Sequence, residues 1–147
     1  WIYEGTSLKI GDVLGGDQIV VGYECDGCDF EFVDEKPVPT GVGGTPLNFE
    51  ILGTAPAHLW ETDESIGNLA DNYVGELNWV AERIGGADTP EVRKKFTDGH
   101  AVLGIFKKGR GEVFTAGCTD WAYGLKDKNV DQVTRNMISR FKQSGSS

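Results

Sequence analysis

HAVLGIFKKGRGEVFTAGCTDWAYGL, residues 100–125, decides the fold. Residues 101–106 and 112–116 are two short runs rich in branched and aromatic side chains. Between them Lys107, Lys108, Gly109, Arg110 and Gly111 have the composition of an exposed turn, so the stretch predicts a β-hairpin. The first run carries almost no polar position. Both of its faces are therefore expected to be covered, which calls for a sheet with other layers packed on it. The second strand delivers Cys118, Thr119, Asp120 and Trp121 to the sheet's end, where sites are often built.

The chain has 147 residues, 39% of them hydrophobic, which is one domain's worth of sequence and enough for a core. Its 14 Lys and Arg against 23 Asp and Glu leave a formal net charge of -9. An acidic surface with no basic cluster repels phosphate backbones, which excludes nucleic acid as a partner. No apolar run approaches the roughly 18 residues of a membrane span, and the first residues lack a basic-then-apolar signal pattern. A soluble, cytoplasmic protein with no membrane partner is expected, and the lack of an N-glycosylation acceptor leans the same way. The chain opens on Trp1-Ile2-Tyr3 without a methionine, which predicts a fragment, a processed chain or one part of something larger.

Cys25, Cys28 and Cys118 are an odd number of cysteines and argue against a disulfide framework. Cys25-Asp26-Gly27-Cys28 has C-x-x-C spacing, and with Cys118 and His58 or His100 it is a candidate structural zinc site of three sulfurs and one imidazole. A second closely spaced ligand pair is missing, so reduced thiols in a half-buried turn are the favoured reading. A thioredoxin-type pair opens a helix, whereas this one follows a strand pattern.

Taken in order, residues 1–10 read as a short strand and turn. Residues 11–16 (GDVLGG) are a plain glycine-rich connection, lacking both the Walker lysine and the G-x-G-x-x-G spacing. Residues 17–24 (DQIVVGYE) predict a strand, and Glu24 stands where its apolar run gives out, as a solvated strand end or a pocket residue. Residues 30–33 alternate as an edge strand. Residues 34–46 hold three of the five prolines in an extended loop, and residues 47–54 are the next strand. Residues 55–60 read as a strand-to-helix corner in which His58 is packed or at the surface.

Residues 63–86 carry apolar positions at three- and four-residue steps through Ile84, predicting a long helix capped by Asp63 and stopped by Gly85-Gly86. A stripe that wide over residues 63–84 suits an interface with a second subunit. Thr89 and Pro90 cap and open a shorter segment. The last helix spans residues 130–142, with Asn129 as its cap, Gln132 three positions on, and Val130, Val133, Met137, Ile138 and Phe141 as its apolar stripe. The composite is a single mixed α/β or α+β unit over residues 1–142 with a disordered tail at 143–147. It lacks the regular βαβ alternation of a complete doubly wound domain.

Residues 111–125 (GEVFTAGCTDWAYGL), followed by Val130, Val133-Thr134-Arg135-Asn136 and Arg140, resemble the closing segment of the large (β) subunit of N,N-dimethylformamidase and its relatives. Residues 1–12 (WIYEGTSLKIGD) and 21–27 (VGYECDG) are similar to that family's W-x-F-x-G-T-G-L-x-x-G-D and V-G-Y-E-x-D segments, in the same order. The resemblance implies part of a class I glutamine-amidotransferase-like sheet with flanking helices, in an incomplete domain. It implies an amidohydrolase acting on a small N-substituted amide, in an oligomer completed by the remainder of the large subunit or a companion chain. In that family a mononuclear iron is held by two tyrosines and a glutamate, upstream of the segment this chain resembles. No metal ligand is therefore assigned to Tyr3, Tyr23 or Tyr123.

What this chain can supply is pocket wall. Glu24 matches a glutamate bordering the family's pocket, and a carboxylate at a strand tip can orient a metal-bound water or take its proton. The equal alternative is a structural acceptor for a neighbouring loop. Trp121 and Thr119 follow a Gly-Cys turn and can line an apolar pocket for a methylated amide, although a Trp121 wedged between sheet and last helix is favoured. Asp26 and Asp120 are short acids near strand ends, where a cation can bind between them. A non-catalytic binding or assembly domain with the same shell is the other class of function.

Overall fold

The structure, a computed structural model, describes residues 1–18, 20–21, 24–59 and 76–144. Among the described residues the architecture is mixed α+β with two small sheets. Strands β1 (Phe30–Val33) and β2 (Lys36–Pro39) form one sheet, and β3 (Glu50–His58), β4 (Asp98–Lys108) and β5 (Gly111–Thr115) form the other in the order β3-β4-β5. The helices are α1 (Glu76–Arg83), α2 (Pro90–Arg93) and α3 (Lys128–Ser144), and a 3-10 segment covers Thr119–Lys126. The chain divides into two compact units, residues 1–53 with 102–147, and residues 54–101.

The first unit is built on the predicted hairpin. β4 and β5 pair antiparallel from Gly104 opposite Thr115 to Lys108 opposite Gly111. The two-residue turn between them takes positive φ at Gly109, which a mirror-image hairpin turn needs to match the strands' twist. Val102, Leu103, Gly104 and Ile105 are buried as the apolar run predicts. On one face of β4 the Phe49 ring lies over Gly104, where a Cβ would stand 2.2 Å from its ring carbon, and meets Phe106 at 5.9 Å between centroids. On the face of Ile105 and its cross-strand partner Phe114, Trp121 packs edge-on to Phe114 and donates its Nε1–H to Thr134 of α3 at 3.0 Å. Val130 and Val133 of α3 are fully buried. Layers on both faces thus account for the strand's continuous hydrophobicity.

α3 also holds the chain's beginning. Asn136 Nδ2 donates to the carbonyls of Ile2 and Glu4 at 2.9 and 2.8 Å, and the Ser7 amide donates to Asn129 Oδ1 at 3.2 Å. Tyr3 Oη donates to the Leu52 carbonyl. Arg140 makes a two-pronged pair with Glu112, 2.7 Å on each arm, and its guanidinium lies 4.4 Å from the Trp1 ring centroid.

In the second unit Leu77 and Ala81 of α1 are fully buried. The helix ends where predicted: Ala87 N donates back to Ala81 O at 3.2 Å across Gly86, whose φ is 86°, a closure that favours glycine. Thr89 caps α2 through Val92 N, with Pro90 in its first turn. The predicted stretch 63–75 lies outside the described residues. No described helix is long and apolar enough to cross a membrane.

Several predicted elements differ. Residues 1–10 form consecutive turns instead of a strand, because their carbonyls bond to α3. The described members of 17–24 are turn and bends, with Gln18 N bonding to Gly15 O at 2.8 Å. Gly15 and Gly16 there take φ of 101° and 54°, and Val20 packs where a Gly15 Cβ would be, so the chain turns at residues 15–18. Asp34 and Glu35 both take positive φ and fold Lys36–Pro39 back onto β1. Pro37 and Pro39 of the predicted loop thus sit in a strand of a two-stranded sheet, where a missing donor is tolerated. β3 continues through the predicted corner to His58. Asp127, not Asn129, caps α3, its Oδ1 accepting from Asn129 N and Val130 N at 2.9 and 3.0 Å, while Ile138 of the predicted stripe is 46% exposed.

Candidate functional site

The β4-β5 ladder ends at Thr115, and what happens next makes a groove. Gly117 turns with φ 71°, its amide caught by Thr115 Oγ1 at 3.1 Å. A Cβ at Gly117 would lie 2.3 Å from the Val102 carbonyl oxygen, so only glycine fits here. The segment 24–26 then joins the ladder's end. Asp26 N donates to Gly117 O at 2.9 Å, Val102 N donates to Asp26 O at 2.9 Å, and Thr119 N donates to Glu24 O at 3.0 Å. Cys25 and Cys118 face each other as an isolated antiparallel bridge.

These residues enclose an open groove of about 390 Å³ lined by Glu24, Cys25, Asp26, Thr115, Ala116, Gly117, Cys118 and Thr119. A smaller one of about 230 Å³ adjoins it, sharing Asp26 and Thr115 and adding the apolar Pro46, Phe49, Val102 and Phe106 together with Cys28. Glu24, Asp26 and Thr119, named from sequence, therefore meet at one place, with their residues exposed. Trp121 is not in either lining and stands against α3. Sequence reasoning missed the wall made by Thr115, Ala116 and Gly117, for which the only signal was a glycine directly after a strand.

Burial first, and the Glu50 carboxylate second, push the Tyr3 phenol above its ordinary value. Burial and then Asp29 push the Cys28 thiol up. The Arg140 hydrogen bonds hold Glu112 below the usual carboxylate range. All three cysteines are thiols. Among the described residues no group of three or more His, Cys, Asp or Glu stands where it can hold a metal ion, so the four-ligand zinc set considered from sequence is not assembled among them. His58 ends β3 and His100 lies near the start of β4.

A small α+β shell whose sheet ends in an acid-lined groove is the class of module these features define. The chain belongs to the N,N-dimethylformamidase beta subunit-like, C-terminal family, whose model matches residues 1–134. Comparison with curated proteins gave no significant match. Comparison with solved structures likewise gave none.

Proposed function

We propose that this chain is the C-terminal part of an iron-dependent amidohydrolase of the N,N-dimethylformamidase type, hydrolysing a small N-substituted amide. The family match over residues 1–134 is the observation that carries the reading. The three-stranded sheet is, in this reading, one edge of a larger class I glutamine-amidotransferase-like sheet. Among the described residues no three His, Cys, Asp or Glu stand together, and the Tyr3 hydroxyl is bonded to the Leu52 carbonyl. In this reading the iron is held by two tyrosines and a glutamate outside this chain.

This chain supplies a wall of the pocket. Glu24 is an exposed carboxylate on the groove lining, of the kind that accepts a proton from an attacking water as general base. Thr119 and Asp26 add polar groups for the amide, and the adjoining apolar groove with Phe49 and Phe106 has room for N-methyl groups. The remainder of the large subunit or a companion chain completes the enzyme. Exposed Ile10, Val13, Leu47 and Phe32, 66–89% accessible, are apolar side chains that such a partner can cover. The second reading is a non-catalytic assembly domain, which would use the same side chains.

Metal analysis of the intact assembly, paired with hydrolysis of N,N-dimethylformamide, separates the two. Bound iron and turnover support the enzyme; a metal-free, inactive assembly leaves only the assembly role. In an active assembly Glu24→Gln should lower kcat by about 10²-fold or more with unchanged melting. Undiminished turnover would remove Glu24 from the mechanism.

A further inference from the structure

We propose that Cys25 and Cys118 are an oxidisable pair whose disulfide locks the two walls of the groove together. The C-x-x-C spacing draws attention to Cys25 and Cys28, but the fold sets Cys25 against Cys118. The two backbone bonds flanking this bridge run from Asp26 N to Gly117 O and from Thr119 N to Glu24 O. Cys25 and Cys118 are therefore the non-hydrogen-bonded pair of the ladder. In such a pair the Cα atoms stand about 4.5 Å apart and the side chains leave the same face. A disulfide spans Cα separations of about 4.4–6.8 Å, so the bond closes on the backbone as it stands.

The chemistry is available at these positions. Cys25 is exposed and Cys118 half-buried, both on the groove lining. The Asp120 amide donates to Cys118 Sγ at 3.2 Å and orients it at the start of the 3-10 segment. With hydrogen peroxide as oxidant, the Cys25 thiolate attacks one peroxide oxygen. The O–O bond breaks, leaving Cys25 as a sulfenic acid and releasing water. The Cys118 thiolate then attacks the sulfenic sulfur; the S–S bond forms, the S–O bond breaks, and hydroxide leaves as a second water. Two thiols lose two electrons and two protons, and the peroxide ends as two waters. Cys28 faces the adjoining groove, and its raised thiol value keeps it protonated to higher pH, which slows its competition.

Before oxidation, 24–26 and 117–119 are joined through backbone hydrogen bonds. The disulfide adds a covalent tie beside Glu24, Asp26 and Thr119 and fixes the groove in this geometry. This inference stands on the ladder geometry and is independent of the amidase reading.

The test exposes the full chain to hydrogen peroxide, blocks remaining thiols, and maps peptides without reduction. The expected product joins the Cys25 and Cys118 peptides, lighter by two hydrogens than the thiol forms, and is reversed by dithiothreitol. Titratable thiols fall from the three of the reduced chain to one, and the melting temperature rises on oxidation. Cys28→Ser keeps the link and Cys118→Ser abolishes it. A dominant Cys25–Cys28 link, over-oxidised Cys25 without a link, or three thiols surviving the peroxide would each overturn the proposal. Should Cys118→Ser not fold, the peptide map of the native chain and of Cys28→Ser decides alone.

Discussion

Arg140 joins three parts of the chain through one guanidinium: α3, on which it sits, Glu112 of β5, and the Trp1 ring. Glu112 has a side chain only 17% exposed, and its carboxylate is held by this guanidinium at 2.7 Å on each arm. Its value is lowered from the ordinary 4.5 by the Arg140 hydrogen bonds. A group whose folded value is depressed stabilises the fold above its unfolded value and loses that contribution as pH falls through the folded one. Stability should therefore hold above pH 4.5 and decline as the medium is acidified below it. Arg140→Leu should remove about 1 kcal/mol, mostly the ion pair and the stack on Trp1, and should flatten the part of the acid decline owed to Glu112. Urea titrations of both proteins at neutral pH and below pH 4 check this; equal loss at both pH values would mean that the pair does not set the acid sensitivity.

Elements were legible where a local pattern needed no distant partner. The β4-β5 hairpin, the close of α1 at Gly86 and the Thr89 cap follow from turn glycines, apolar runs and short-range capping. Two of the failures have a long-range cause. The turns of residues 1–10 exist because Asn136, far along the chain, takes their carbonyls. Asn129 looked like the cap of α3 because of Gln132, yet its Oδ1 accepts from Ser7 N, Gln132 turns to Asn136, and Asp127 takes over the helix start. Of the site, Glu24, Asp26 and Thr119 were readable as polar residues at predicted strand ends, but the pairing of Cys25 with Cys118 depends on a contact that no spacing rule reveals. The cap gives the element-scale prediction. Asp127→Ala strips acceptors from two amides and should destabilise the fold by about 1 kcal/mol. Asn129→Ala loses only the Ser7 contacts and should change stability by less than half of that. Chemical denaturation that ranks the two variants the other way would return the cap to Asn129.

For the whole molecule, the family match stops at residue 134, in the middle of α3. The contacts argue that the folded unit extends further. Past residue 134 lie Asn136, whose amide holds Ile2 and Glu4, and Arg140, which pairs with Glu112 and covers Trp1. Ending the chain there would also leave the Glu112 carboxylate half-buried without its partner, a penalty beyond the lost attraction. It would shorten α3 to one face bearing Val130 and Val133 with little helix after them, and so short a helix has little stability of its own. A chain cut after Thr134 should therefore be less stable by on the order of 2 kcal/mol, adding about 1 kcal/mol for the Asn136 bonds to about 1 kcal/mol for the Arg140 pair and the Trp1 stack together. Amide exchange should localise the damage: the amides of Glu4 and Thr6, protected by turns that α3 pins, should exchange fastest relative to the intact chain. The β4-β5 amides, paired with each other, should lose less protection. Equal stability and unchanged exchange at residues 4 and 6 would mean that the second half of α3 is an appendage and that the fold ends where the family does.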